Sequence, residues 1–138
     1  MSDYLLDANV IVRLLTQDEP KQGKAAAKLF MGARGGDVTL HLEASIVAET
    51  VYVLESNFYA KTRDEIHDSL VDLVQNPGIE TDKRDAVIDA LWRFKAYPAL
   101  DFADCWLAAL SARMNIPVAS FDRDLDKFHD IKRHEPKE

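Results

Sequence analysis

Short aliphatic runs alternate along this chain with longer stretches whose apolar positions recur every three or four residues, the rhythm of βαβ units and a parallel sheet. Tyr4-Leu5-Leu6 predicts a first, buried strand that stops at Asp7. Over 8–16, Val10, Ile11, Leu14 and Leu15 stand at helical spacing. A second helix is expected over 18–33, with Pro20 in its first turn, where a missing N–H costs nothing, and Gly35-Gly36 as its stop. Val38-Thr39-Leu40-His41-Leu42 predicts the second strand, and a helix over 44–57 puts Ile46, Thr50, Val53 and Leu54 on one face. Thr62 and Glu65 make a capping box for a helix that turns Ile66, Leu70 and Leu73 inward. Asn76-Pro77-Gly78 is a strong turn signal, followed by a short third strand at 79–81 and a helix capped by Asp82 that runs to about Tyr97. An aromatic-rich helix over 102–114 and a fourth strand, Pro117-Val118-Ala119-Ser120, complete the pattern. Residues 131–138 are mostly charged and read as a frayed tail, with Ile131 able to extend a last short strand.

No repeat, low-complexity tract or linker interrupts the chain, so 1–138 is expected to be one domain of the α/β class. The 138 residues are 47% hydrophobic and 30% charged, which excludes a disordered or fibrous chain. Cys105 is the only cysteine, so an intrachain disulfide or a cysteine zinc cage is impossible. Asp3 and Asp7 occupy the region where a signal peptide carries basic residues, and no run approaches a membrane span. The expectation is a cytoplasmic protein that does not enter the membrane. Its net charge of -7 argues against a passive nucleic-acid binder, but leaves open an enzyme whose acids hold divalent metal.

Ligands of open parallel sheets bind beyond the carboxyl ends of the strands, and acids recur there. Asp7 follows the first strand, Glu49 lies on the helix after the second, Asp101 and Asp104 open the aromatic-rich helix, and Asp122 follows the fourth. Asp7, Glu49 and Asp104 stand within apolar segments with no adjacent Lys or Arg, and partly buried acids need a cation or a metal. Two such charges about 5 Å apart repel by roughly 3 kcal/mol at an effective dielectric near 20. An all-oxygen donor set suits Mg²⁺ or Mn²⁺ better than zinc. Each acid also has a structural reading. Asp7 and Asp101 can cap helices, with Asp104 at the third position of the second of these, and Asp122 can be a turn residue. Only Glu49, in mid-helix, has no such alternative.

Four segments carry a family resemblance: Tyr4-Leu5-Leu6-Asp7-Ala8-Asn9-Val10-Ile11, Val47-Ala48-Glu49-Thr50-Val51-Tyr52-Val53-Leu54, Asp101-Phe102-Ala103-Asp104-Cys105-Trp106-Leu107-Ala108-Ala109 and Val118-Ala119-Ser120-Phe121-Asp122-Arg123-Asp124. In order and spacing they resemble the four motifs of PIN-domain ribonucleases, above all the VapC-type toxins of toxin–antitoxin pairs. The resemblance implies a three-layer α/β/α fold around a central, mainly parallel sheet of four to five strands. It makes Asp7, Glu49, Asp104 and Asp122 the catalytic, metal-binding acids, holding one or two Mg²⁺ or Mn²⁺ ions, with Asp101 and Asp124 as further acids of the same motifs. Asn9 and Ser120 become polar supports near the scissile phosphate, Ser120 standing where the family often has Thr. The implied activity is metal-dependent endoribonuclease cleavage of RNA. The implied partners are a small antitoxin and a second copy in a homodimer or larger assembly.

Arg13, Lys21, Lys24, Lys28 and Arg34 are candidate guides for RNA, set against the simpler reading of a solvated helix face. Phe94, Tyr97, Phe102 and Trp106 fit a core or a subunit contact better than base stacking. His41, His67, His129 and His134 have no zinc-ligand spacing. The competing classes are a phosphatase forming an aspartyl-phosphate on Asp7 and a Mg²⁺-binding phospho-accepting signalling domain. The first wants a second Asp where Asn9 stands, and the second wants adjacent early acids and a late Lys.

Overall fold

A computed structural model describes residues 2–138, which divide into two compact units, one up to Arg84 and one from Asp85 onward. In the first unit the order is β1 (Ser2–Leu5), α1 (Ala8–Thr16), α2 (Pro20–Arg34), β2 (Val38–His41), α3 (Ala44–Glu55), α4 (Arg63–Val74) and β3 (Ile79–Glu80). The strands form an all-parallel sheet in the order β1-β2-β3, with Leu5 opposite His41 and His41 opposite Glu80. Helices between parallel strands make this an α/β arrangement, as the alternating pattern predicts.

Helix boundaries follow local chemistry closely. α2 starts at Pro20 rather than at residue 18, because the Glu19 side chain accepts from the amides of Lys21 and Gln22. It stops at Gly35, and Gly36 then takes φ 87°, a conformation glycine adopts without strain. The Thr62–Glu65 capping box forms with both of its hydrogen bonds, and Ile66, Leu70 and Leu73 are buried as predicted. In the Asn76-Pro77-Gly78 turn Pro77 is exposed while Asn76 and Gly78 are buried: Asn76 Oδ1 accepts from the Gly78 amide at 2.9 Å, and Nδ2 donates to the Phe30 carbonyl at 3.3 Å. A Cβ on Gly78 would stand 2.2 Å from the Ala33 carbonyl oxygen, so only glycine fits this crossing. Ile11, Leu40, Leu54, Ile66, Leu70 and Ile79 are fully buried, each contributing roughly 2 kcal/mol of transfer free energy.

The second unit has α5 (Arg84–Ala96, beginning at the unit boundary), α6 (Phe102–Met114), β4 (Val118–Ala119), a 3-10 helix (Arg123–Lys127) and β5 (Arg133–His134). Phe94 and Phe102 are buried, their rings 6.3 Å apart edge to face, and Tyr97 meets Phe128 at 4.7 Å. Buried Arg93 forks onto Asp130, also bonds Asp89, and lies over the Phe128 ring at 5.0 Å.

Four expectations need correction. The first strand is exposed at all four of its positions, and burial begins only at Leu6, which follows it. Instead of one sheet of four to five strands, the hydrogen-bonded ladders are a three-stranded sheet and a separate parallel pair, β4 with β5. β4 and β5 are two residues each and pair with one another. The fifth helix begins at Arg84, two residues after Asp82, once Arg84 has donated to the Val74 and Ile79 carbonyls. The tail expected to fray carries β5, because Arg133 and the backbone of His134 bind it to Ser120. No helix among the described residues is long and apolar enough to cross a membrane.

Candidate functional site

In the first unit the parallel register brings the carboxyl ends of β1, β2 and β3 level. The Leu6 amide donates to the His41 carbonyl at 2.9 Å, so pairing continues one residue past β1 and the chain departs at Asp7. Asp7 has extended backbone, and its Oδ1 accepts from the Ala8 amide at 2.8 Å, which makes it the N-cap of α1. Its carboxylate is exposed rather than enclosed by the apolar residues around it in sequence. Asn9, also exposed, lines a groove of about 270 Å³ between α1 and α2, with Arg13 and Gln22 at its polar side.

Glu49 shares the exposed stripe of α3 with Ser45 and Tyr52, while Val47, Thr50, Val51 and Leu54 take the buried side. The apolar surroundings in the sequence therefore belong to the opposite face, and the expectation of partial burial fails for both Asp7 and Glu49. On α3 periodicity explains it, since a residue two positions from a core residue points about 200° away, whereas Asp7 stands on extended backbone between buried Leu6 and Ala8.

The second unit gathers four acids. Asp101 caps α6, accepting from the Asp104 amide at 2.9 Å. Asp122 caps the 3-10 helix, accepting from the Asp124 amide at 2.9 Å, and its own amide donates to Ser120 Oγ at 3.0 Å. Asp104 is partly buried and feels all of them. Burial pushes its carboxyl up to about 6, with the negative charges of Asp101, Asp122 and Asp124 adding to the rise. Lys127 stands 3.3 Å from Asp124. The cap readings of Asp7 and Asp101 thus hold, Asp122 is a cap where a turn residue was expected, and a carboxylate used as a cap keeps a second oxygen for another ligand.

The basic candidates divide. Arg13 is committed within the first unit, donating to Gln22 at 2.9 Å, to Asp18 at 3.3 Å and to the Tyr59 hydroxyl at 3.2 Å. Tyr59 in turn donates to Asp18 at 2.7 Å, so Arg13 ties α1 to the start of α2 and to the loop after α3. Lys21, Lys24, Lys28 and Arg34 are exposed along α2. Sequence reasoning missed Arg133, whose guanidinium braces the fourth acidic motif. Its signal lies in pairing with Asp126 seven residues earlier, a spacing with no periodic meaning outside regular structure.

Within either unit, among the described residues, no three His, Cys, Asp or Glu side chains converge into a ready-made cage. The chemistry of the second unit nonetheless fits a hard divalent cation. The donors are all oxygen, and the raised Asp104 carboxyl records crowding of negative charge that a cation would relieve.

The PIN domain family matches residues 4–131, a span that crosses both units. Among solved structures, the chain is similar to the crystal structure of VapBC2 from Rickettsia felis bound to a DNA fragment from their promoter. The identity is 12% and the TM-score 0.38, with 97% of this chain and 98% of that one covered. No curated protein matches the sequence.

Proposed function

The chain belongs to the PIN domain family, whose members are generally nucleases using divalent metal, and from that premise we propose that it is a metal-dependent endoribonuclease. Asp7, Glu49, Asp104 and Asp122 are the acids that hold Mg²⁺ or Mn²⁺, one or two ions, with Asp101 and Asp124 as auxiliary carboxylates. The observation that carries this reading is the acidic crowd around Asp104, which raises that carboxyl to about 6. A cluster that costs folding energy without a cation is better explained by a ligand than by stability.

When bound, the metal supplies a water of lowered pKa and stabilises charge growing on the phosphoryl oxygens. The remaining work is done by the chain itself. Asp101 and Asp122 fix the ends of their helical segments and keep oxygens available. Asp104 must shed its proton before it can ligate. Ser120 presents its hydroxyl at the end of β4, where it already holds the Asp122 amide. Asn9 and Ser120 support the scissile phosphate, and exposed Lys24, Lys28 and Arg34 offer a weak guide for RNA.

The four motif segments support the further reading of a VapC-type toxin, with a small antitoxin as partner, self-association and a cytoplasmic location. Incubating the purified chain with single-stranded RNA and Mg²⁺ or Mn²⁺ tests the activity. Cleavage should require the metal, stop with EDTA, and fall at least about a thousandfold in Asp104→Asn. Cleavage that survives chelation, or persists in that variant, sinks the reading. A labile acyl phosphate trapped from a small phosphodonor would favour the phosphatase or signalling alternative.

A further inference from the structure

The charged end of the chain grips the fourth acidic motif from two sides. The Ser120 amide donates to the His134 carbonyl at 3.0 Å, and Arg133 Nη1 donates to the Ser120 carbonyl at 3.0 Å. The same guanidinium forks onto Asp126, Nε to Oδ1 at 3.0 Å and Nη2 to Oδ2 at 3.1 Å. Nη1 also reaches Glu135 Oε1 at 3.0 Å. Ser120 directly follows β4 and Asp126 lies in the 3-10 helix, so one planar group spans both ends of the segment carrying Asp122 and Asp124. Inside that span the Asp122 amide bonds Ser120 Oγ, and the Asp124 amide bonds Asp122 Oδ1. The Arg133 side chain is only 12% exposed while Asp126 is 55% exposed, so the arginine is seated in protein and the carboxylate comes to it. Lysine would bring the charge without the fixed fork that makes the span. Arg133 also lies beyond the residues that match the family, which end at 131.

We infer that Arg133 is a positioning residue for the metal-holding acids, acting through Ser120 and Asp126 to set Asp122 and Asp124 beside Asp104. The inference rests on the reading of those acids as metal ligands. Its effect is that of an outer support on a metal ligand, where loss weakens the metal about tenfold or more.

The test uses the full chain and Mn²⁺ alone as probe. Calorimetric titration gives the Kd for wild type, Asp104→Asn, Arg133→Gln, Arg133→Lys and Asp126→Asn, after each is shown to melt cooperatively. Both Arg133 variants should bind Mn²⁺ about tenfold more weakly, with no rescue by lysine. Asp126→Asn should weaken binding several-fold, and adding it to Arg133→Gln should cost nothing further, because the two residues act as one clamp. Amide exchange of Asp122 and Asp124, measured without metal, should quicken in these variants while α5 and α6 keep their protection. Mn²⁺ affinity within twofold of wild type in folded Arg133→Gln overturns the inference. If the Arg133 variants do not fold, the same result in Asp126→Asn overturns it. A wild type that binds no Mn²⁺, or binds equally after Asp104→Asn, removes the metal reading and this inference together, a result distinct from an unchanged Arg133 variant.

Discussion

Asp104 concentrates the chemistry of the second unit in one carboxyl. Its ordinary value is 3.8 and its folded value about 6, raised by burial and then by Asp101 and Asp122. The folded chain therefore holds an extra proton between those values. This residue favours folding most below about pH 4, and that contribution is lost as the pH rises through 6. Metal needs the ionised form, so Mn²⁺ affinity should be flat above about pH 7 and fall as the pH drops below 6, approaching tenfold per unit. Calorimetric titrations at pH 5, 6 and 7.5 check this, and equal affinities at all three would contradict it. Asp7 carries a different prediction, because it caps α1 through the Ala8 amide. Asparagine caps as well as aspartate, so Asp7→Asn should lose cleavage with little change in stability. Asp7→Ala should also cost about 1 kcal/mol in urea melts. Equal stability losses in the two variants would show that capping is not what distinguishes them.

Among the elements, the turn between α4 and β3 leaves no room for a side chain at Gly78. Gly78→Ala pushes a methyl into the Ala33 carbonyl, backbone that has no rotamer to move, and should destabilise by about 2 kcal/mol or more. Chemical denaturation reads this directly, and a loss below about 0.5 kcal/mol would mean α2 shifts easily at that crossing. This turn, the capping box at Thr62 and the start of α1 after Asp7 were legible in sequence because local chemistry decides them. Glu49 was misread as partly buried because its apolar neighbours in sequence lie on the other side of α3. The extent of the sheet and the order in the tail were not legible either. Strands of two residues depend on distant partners, and β5 depends on Arg133 finding Asp126 and the Ser120 carbonyl. The acids themselves were easy to nominate, since their residue type and order show in one dimension. The crowding around Asp104 needed coordinates.

At the scale of the whole molecule, the proposed function asks an acidic chain of net charge -7 to meet anionic RNA, and divalent cations would resolve that conflict. Metal bound only by the folded chain stabilises it. At a free Mg²⁺ concentration a hundredfold above Kd the gain is about 2.7 kcal/mol, or roughly 8 °C in melting temperature. Scanning calorimetry with Mg²⁺ and with EDTA measures it, and coincident transitions would mean no specific site. The caps described at Asp7, Asp101 and Asp122 have a genetic corollary. Aspartate and asparagine codons differ by one G-to-A transition, and the two side chains serve a helix start equally. On the proposed function, a single base change would therefore extinguish cleavage and leave the folded shell intact.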